Sequence, residues 1–342
     1  MPIARVAISG FGRVGRRTAE LLLSRRARYL DLYGIDVRLV AVCGSRDGAA
    51  DPAGLEAAGL DRREAGRTGV EFVADSGADI LIEAGPSDFR TGGPGLPYLR
   101  AALGAGRDAI VISKGALVFD SRGLRDLARS TGATLKISGA TAAALPTIDL
   151  IEHSLKGCQI LRVDGVLNAT TNYLLNAMTT RGVGFDAALR EAQAGGFAES
   201  DPRYDVEGWD TACKLLILAN FALSADLSIN DLSVQGIQAV TREQIERWAA
   251  NGLAPRLVGS LVREEGRWRA SVGVQTYPLD DAFAHIPGKT KAIRIHTDVM
   301  GEVVAMGGGA EPTATASAAL KDLEHILQAR ASDGQGNRSV SA

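Results

Sequence analysis

Cysteine is scarce in this 342-residue chain: Cys43, Cys158 and Cys213 are an odd number, lie far apart and form no Cys-x-x-Cys pair. Neither a disulfide framework nor a thiolate zinc site is signalled, and a reducing cytoplasm fits. The four histidines, His153, His285, His296 and His325, show no metal-ligand spacing. Aromatic residues amount to only 5%, which disfavours stacking on nucleic-acid bases, and a net charge of −2 offers no field to a polyanion. No run reaches the roughly 18 apolar residues that a membrane helix needs. The opening MPIARVAISGFG is too short an apolar run for a signal peptide and carries no cleavage pattern. Nothing here favours nucleic acid as the main partner, and no membrane-spanning helix is expected.

What is present is ordinary for a soluble globular protein, 46% hydrophobic and 23% charged, at a length that suits two domains. The first half reads as a nucleotide cradle. An apolar strand, Val6 to Ser9, runs directly into Gly10-Phe11-Gly12-Arg13-Val14-Gly15 and then into a helical pattern. In that context Gly10 permits the tight turn, Gly12 lets backbone approach a pyrophosphate, and Gly15 lets helix and strand pack closely. The helix N-terminus supplies free N–H groups to the phosphates. The next strand ends in Cys43-Gly44-Ser45-Arg46, without the acid that grips a ribose 2′-hydroxyl in NAD sites. A hydroxyl and a guanidinium there suit a 2′-phosphate, so NADP is expected ahead of NAD, although Arg46 can equally be a solvated loop residue.

ADILIEAGP and RDAIVISKGAL each read as a buried strand and a loop, joined by a helix, which is βαβ alternation and implies a parallel sheet. Gly85, Ser113 and Lys114 then fall at the C-terminal ends of strands, where doubly wound sheets bind ligands.

In the second half, Asn168-Ala169-Thr170-Thr171-Asn172 either caps a helix or faces a nicotinamide amide or substrate carboxylate. Further on, Glu199, Asp201, Asp205, Glu207 and Asp210 precede Lys214. From Trp209 the helix is apolar nearly all round, so it is expected to be buried. Asp210 and Lys214 stand at i and i+4 and face inward together. A buried lysine with an acidic partner is a candidate general acid or base; a structural ion pair is the plainer reading. Oxidising an alcohol with a nicotinamide cofactor asks the protein only for a proton acceptor and for positioning. Acidic side chains such as Glu199 and Asp205 suit a substrate that carries an ammonium group.

Five blocks, GFGRVG, SKGAL, GVLNATTNYLL, AQAGGFAESDPRYDVEGWDTACKLLILA and VMGEVVAMGGGAEPTATASAALKDL, occur in an order that resembles homoserine dehydrogenase, from about Ile3 to Leu327. The resemblance implies a Rossmann-type α/β domain over residues 1–138, to which 306–330 return, and an α+β substrate and dimerisation domain over 139–305. It implies proton exchange by Lys214, assistance by Lys114, and Glu199, Asp205, Asp210 and Thr170 around the substrate amino group or the lysine. It extends the cofactor contacts to Gly309 and Glu311 and implies a homodimer. A sodium or potassium ion held by backbone carbonyls near Thr141, Ala143 and Leu145 is also implied, but Ser138 occupies the place of a glutamate that helps bind this ion in many members. Ala169, Phe197, Glu311 and the stretch GKTKAI, in place of Gly-x-x-Asn-Ala-Ile, are further departures, which leave room for a sister dehydrogenase of a related amino alcohol. A catalytically idle NADP-binding protein should have lost the two lysines. Nothing precedes the first strand and only a polar tail, 331–342, follows, so a short form without a fused aspartate kinase or an ACT domain is expected, with the tail disordered and no threonine feedback.

Overall fold

The computed structural model describes residues 1–309 and 312–339. The chain forms two compact units, Met1–Ala140 with Glu311–Ala342, and Thr141–Ala310.

The first unit is built on seven strands: β1 (Ile3–Ser9), β2 (Asp36–Cys43), β3 (Asp47–Ala50), β4 (Glu64–Ala65), β5 (Ile80–Glu83), β6 (Asp108–Val111) and β7 (Leu135–Lys136), in the order β4-β3-β2-β1-β5-β6-β7. From β2 to β7 every pairing is parallel, whereas β3 and β4 add antiparallel strands at one edge. The parallel strands are continuous apolar runs because helices cover them, as Val6, Ile8, Leu39, Ile80, Ile82 and Ile110 show by being fully buried. From β1 the chain passes to β2 on one side and later to β5 on the other, which makes the end of β1 a topological switch point. This is the doubly wound sheet expected from the sequence.

The last helix, Pro312–Ser339, packs Leu320, Leu323 and Leu327 into the same core. It includes residues 331–339, where the polar composition had suggested a disordered tail; no proline interrupts them, and a nucleated helix adds one hydrogen bond per residue. Residues 340–342 of that tail lie outside the described residues.

The second unit has six strands: β8 (Ile160–Val166), β9 (Leu232–Val234), β10 (Leu253–Glu264), β11 (Arg267–Pro278), β12 (Lys291–Thr297) and β13 (Glu302–Gly307), in the order β13-β12-β8-β10-β11-β9. Pairing is antiparallel except between β9 and β11. Because β13 pairs along its length with β12, Met306 and Gly307 stay in this sheet, and the chain leaves the unit a few residues later than the sequence suggested.

Helices Ala169–Arg181 and Trp209–Ile217 lie on one face of this sheet, against β10. Gly259 makes the approach close: a Cβ there would stand 3.0 Å from Thr211 Cγ2 and 3.3 Å from Leu215 Cδ1. Ala212, Cys213, Leu215, Leu216 and Ile217 are all fully buried, so the helix is enclosed on every side, as its composition required. On the opposite face Asp164 is buried under polar neighbours, accepting from Arg162 at 2.7 Å and from Ser260 Oγ at 2.6 Å. Among the described residues, no helix is long and apolar enough to cross a membrane.

Candidate active site

In the first unit the glycine loop follows β1 at the switch point. Gly10 adopts φ +88°, a conformation that costs other residues, and a Cβ on it would lie 2.3 Å from the Gly85 nitrogen. Its N–H donates to the Cys43 carbonyl at 2.9 Å, which ties the ends of β1 and β2 together. A Cβ on Gly15 would sit 2.0 Å from the Gly10 carbonyl oxygen, so helix Arg13–Ser24 touches the loop directly. Gly12 has open space within 4 Å instead. It is also the helix N-cap, with no side chain bonded to the cap and no acid in the first turn. Uncapped N–H groups facing open space beside a bare glycine fit a dinucleotide pyrophosphate. Arg13 is exposed, and Phe11 and Val14 are half-buried beside this opening.

Past the end of β2, Ser45 and Arg46 are both exposed. Asp47, at the start of β3, turns its carboxylate back to within 3.3 Å of where a Gly44 Cβ would be, so an acid does reach the strand end that the sequence had left without one. Arg63 engages it at 2.7 Å and lies over the Phe11 ring, 5.2 Å from its centroid. Sequence reasoning missed Arg63 because nothing in its local stretch connects it with the glycine loop.

It missed Glu83 as well. This residue ends β5 fully buried, accepts from Ser113 Oγ at 2.5 Å and from the Gly85 N–H at 2.7 Å, and leaves no room for a Cβ on Gly95, which would come within 2.7 Å. Burial raises its carboxyl above the usual range, against the lowering by those two donors. Ser113 and Gly85, expected at the cofactor, are thus held in place by an acid beneath them. The only sequence signal was an acidic residue closing an otherwise apolar strand. Lys114 is half-buried just after β6, and its N–H donates to Ser87 Oγ at 2.9 Å.

In the second unit one network joins four of the residues singled out in the sequence. Lys214 Nζ donates to Asp210 Oδ2 at 2.5 Å and to the Leu167 carbonyl at 2.9 Å. Their side chains are 12% and 8% exposed, which sets this pair apart from a surface i,i+4 bridge. Asn168 Nδ2 donates to Asp210 Oδ2 at 2.8 Å and to Asp205 Oδ1 at 2.7 Å. Its Oδ1 meanwhile accepts from the Thr171 N–H at 2.9 Å and caps helix Ala169–Arg181. Asn168 is therefore the helix cap and, through its other amide atom, the link between two carboxylates.

Asp205 is raised above the usual carboxylate range, first by burial and then by the charge of Asp210; hydrogen bonds from Asn168 and Thr170 and the charge of Lys214 oppose this. Behind it Tyr204 donates to Cys213 Sγ at 3.0 Å, and burial raises its phenol strongly. Glu199 is exposed, and its carboxylate makes no hydrogen bond to this network among the described residues. Gly309 is exposed after β13, and Glu311 lies outside the described residues.

A lysine ammonium has three donors, and two of them are used here. The third is available to an oxygen atom, beside carboxylates suited to a cationic group. Such an arrangement can hold an amino-bearing molecule and exchange a proton with its oxygen.

The family model described as "Homoserine dehydrogenase" matches residues 146–323, and "Homoserine dehydrogenase, NAD binding domain" matches residues 10–138. The chain is 33% identical over 339 residues to a protein of Pseudomonas canavaninivorans described as an NAD(+)-dependent homoserine dehydrogenase, covering 95% of this chain and 96% of that one. It is 32% identical over 334 residues to a homoserine dehydrogenase of Methanocaldococcus jannaschii, covering 94% and 98%. A crystal structure of a homoserine dehydrogenase from Thiobacillus denitrificans superposes with a TM-score of 0.87 at 26% identity, covering 97% of this chain and 75% of that one.

Proposed function

The chain belongs to the homoserine dehydrogenase family, and on that premise we propose that it interconverts L-aspartate 4-semialdehyde and L-homoserine with a nicotinamide cofactor, NADP in preference to NAD. The observation that carries this reading is the Lys214–Asp210–Asn168–Asp205 network. A bound nicotinamide supplies or accepts the hydride. The chain's own residues handle the proton and the geometry. Lys214 gives a proton to the aldehyde oxygen on reduction and takes it from the hydroxyl on oxidation. Asp210 and the Leu167 carbonyl fix the position of its Nζ. Asp205 and Thr170 receive the substrate's ammonium group, with Glu199 at the exposed approach. Lys114 acts as a second cation for the substrate. The protein acts in this proposal as a homodimer, as the resemblance implies.

The cofactor part rests on Ser45, Arg46 and Arg63. Asp47, the carboxylate that turns back towards the end of β2, is paired with Arg63 at 2.7 Å rather than left free for a ribose diol. With L-homoserine at alkaline pH, kcat/KM is expected to be roughly tenfold or more higher with NADP than with NAD. Arg46→Ala should remove most of that ratio by raising KM for NADP alone. Equal use of both cofactors by the parent protein would refute the preference and leave the reaction standing.

Asp205 gives a prediction of opposite signs. Its folded-state carboxyl lies above its unfolded value, so keeping it ionised costs stability at neutral pH, and that cost is relieved as the pH falls through the folded value. Asp205→Asn should therefore melt no lower than the parent at pH 7 and lose the parent's gain in stability towards acid. KM for homoserine should rise about tenfold or more, since a charge-assisted contact is lost. A lower melting point with unchanged KM would assign Asp205 a structural role only.

A further inference from the structure

Loop 141–147 of the second unit carries a positive charge of the chain's own. Lys291, at the start of β12, is only 5% exposed, and its Nζ donates to the Ala142 carbonyl at 3.3 Å. The loop is wound tightly at this point. Ala143 takes φ +55°, which is uncommon for a residue with a Cβ. Thr147 N–H donates to the Leu145 carbonyl at 2.8 Å, and the hydroxyls of Thr141 and Thr147 are bonded at 2.9 Å. Gly308 presses on the same turn, where a Cβ would come within 2.7 Å of the Leu145 nitrogen.

These are the residues whose carbonyls the sequence resemblance assigned to a sodium or potassium ion, and they do not fit a resident ion. Ser138, in the place of the ion-binding glutamate, has a hydroxyl that donates to Asp322 at 2.7 Å and accepts from Lys321 at 2.7 Å. Lys291 itself falls where Gly-x-x-Asn-Ala-Ile has its asparagine. A lysine ammonium and a potassium ion make the same demand, one positive charge solvated by oxygen dipoles. Two such charges a few ångström apart in a buried loop repel strongly, so each excludes the other.

We propose that the Lys291 ammonium takes the place of the monovalent cation, holding loop 141–147 by a tethered charge and making the protein independent of sodium and potassium. Only the location of the expected ion site rests on the family reading.

The test compares the full chain in chlorides of sodium, potassium and tetramethylammonium at equal ionic strength, by thermal melting and by turnover of L-homoserine. The parent is expected to melt at one temperature in all three and to turn over within about twofold. Lys291→Ala should melt lower in tetramethylammonium and recover several degrees in sodium or potassium, because an ion that binds only the folded state stabilises it by mass action. A parent that gains several degrees or several-fold in rate from sodium or potassium overturns the proposal, as does a folded Lys291→Ala indifferent to all three salts. If Lys291→Ala does not fold, Lys291→Asn replaces it, and the parent's own salt comparison still decides. A parent without turnover in any salt would count against the proposed reaction, whereas the melting comparison would still answer for Lys291.

Discussion

Lys214→Ala is expected to lower turnover of L-homoserine by roughly 10²–10⁴-fold, with NADP affinity within about twofold of the parent's. In the proposed reaction the lysine exchanges the proton, and two acceptors hold its Nζ in place. Its removal also takes one partner from Asp210, which is only 5% exposed. Breaking such a buried pair costs about 3–5 kcal/mol, towards the low end here because Asn168 continues to donate to the carboxylate. Loss of folding and loss of proton transfer must therefore be separated. Lys214→Arg does this, since a guanidinium keeps the charge but does not release its proton in the working pH range. It should hold more of the melting temperature than alanine and still turn over at least about 100-fold slower. Either variant working within tenfold of the parent, with circular dichroism confirming a native fold, would remove Lys214 from the reaction.

The glycine loop offers a contrast between two alanines three residues apart. At Gly15 the added methyl would meet the Gly10 carbonyl oxygen at 2.0 Å and push helix Arg13–Ser24 away from β1. Such overpacking costs about 1–3 kcal/mol or more, which lowers the melting midpoint by several degrees. At Gly12 the methyl meets nothing within 4 Å, and φ −82° suits any residue. Gly12→Ala should therefore melt within about 1 °C of the parent, as a surface substitution does. Its methyl would stand where a pyrophosphate approaches, so KM for the cofactor should rise about tenfold or more. Titration of cofactor binding beside a melting curve checks both. If Gly12→Ala bound cofactor like the parent, the open space beside the helix N-terminus would not be the phosphate site.

What the sequence made legible was local. The glycine loop is six consecutive residues whose turn sterics are fixed by their spacing. The Asp210–Lys214 pair is one helical turn, and its burial followed from the apolar residues around it. What stayed hidden was set by distant pairings. Glu83 acquires its role from Ser113, 30 residues on, and Asn168 from Asp210, 42 residues on. Arg63 meets Phe11 only once β3 and β4 have folded back along the sheet edge. The end of the last helix is a different case: composition reports how little a segment can bury, not whether an adjoining helix extends into it.

Asn168 has a consequence for how the second unit assembles. Its amide nitrogen spans two acids supplied by a later stretch of chain, while its amide oxygen starts the helix that follows β8. The lysine's resting place includes the carbonyl of the residue just before it, Leu167. A half-folded unit therefore has no lysine in position and no partly working site. The onset of proton-transfer competence during refolding should then be as late and as cooperative as the docking of helix Trp209–Ile217 on β10, and enzymatic rate would serve as a clock for that docking.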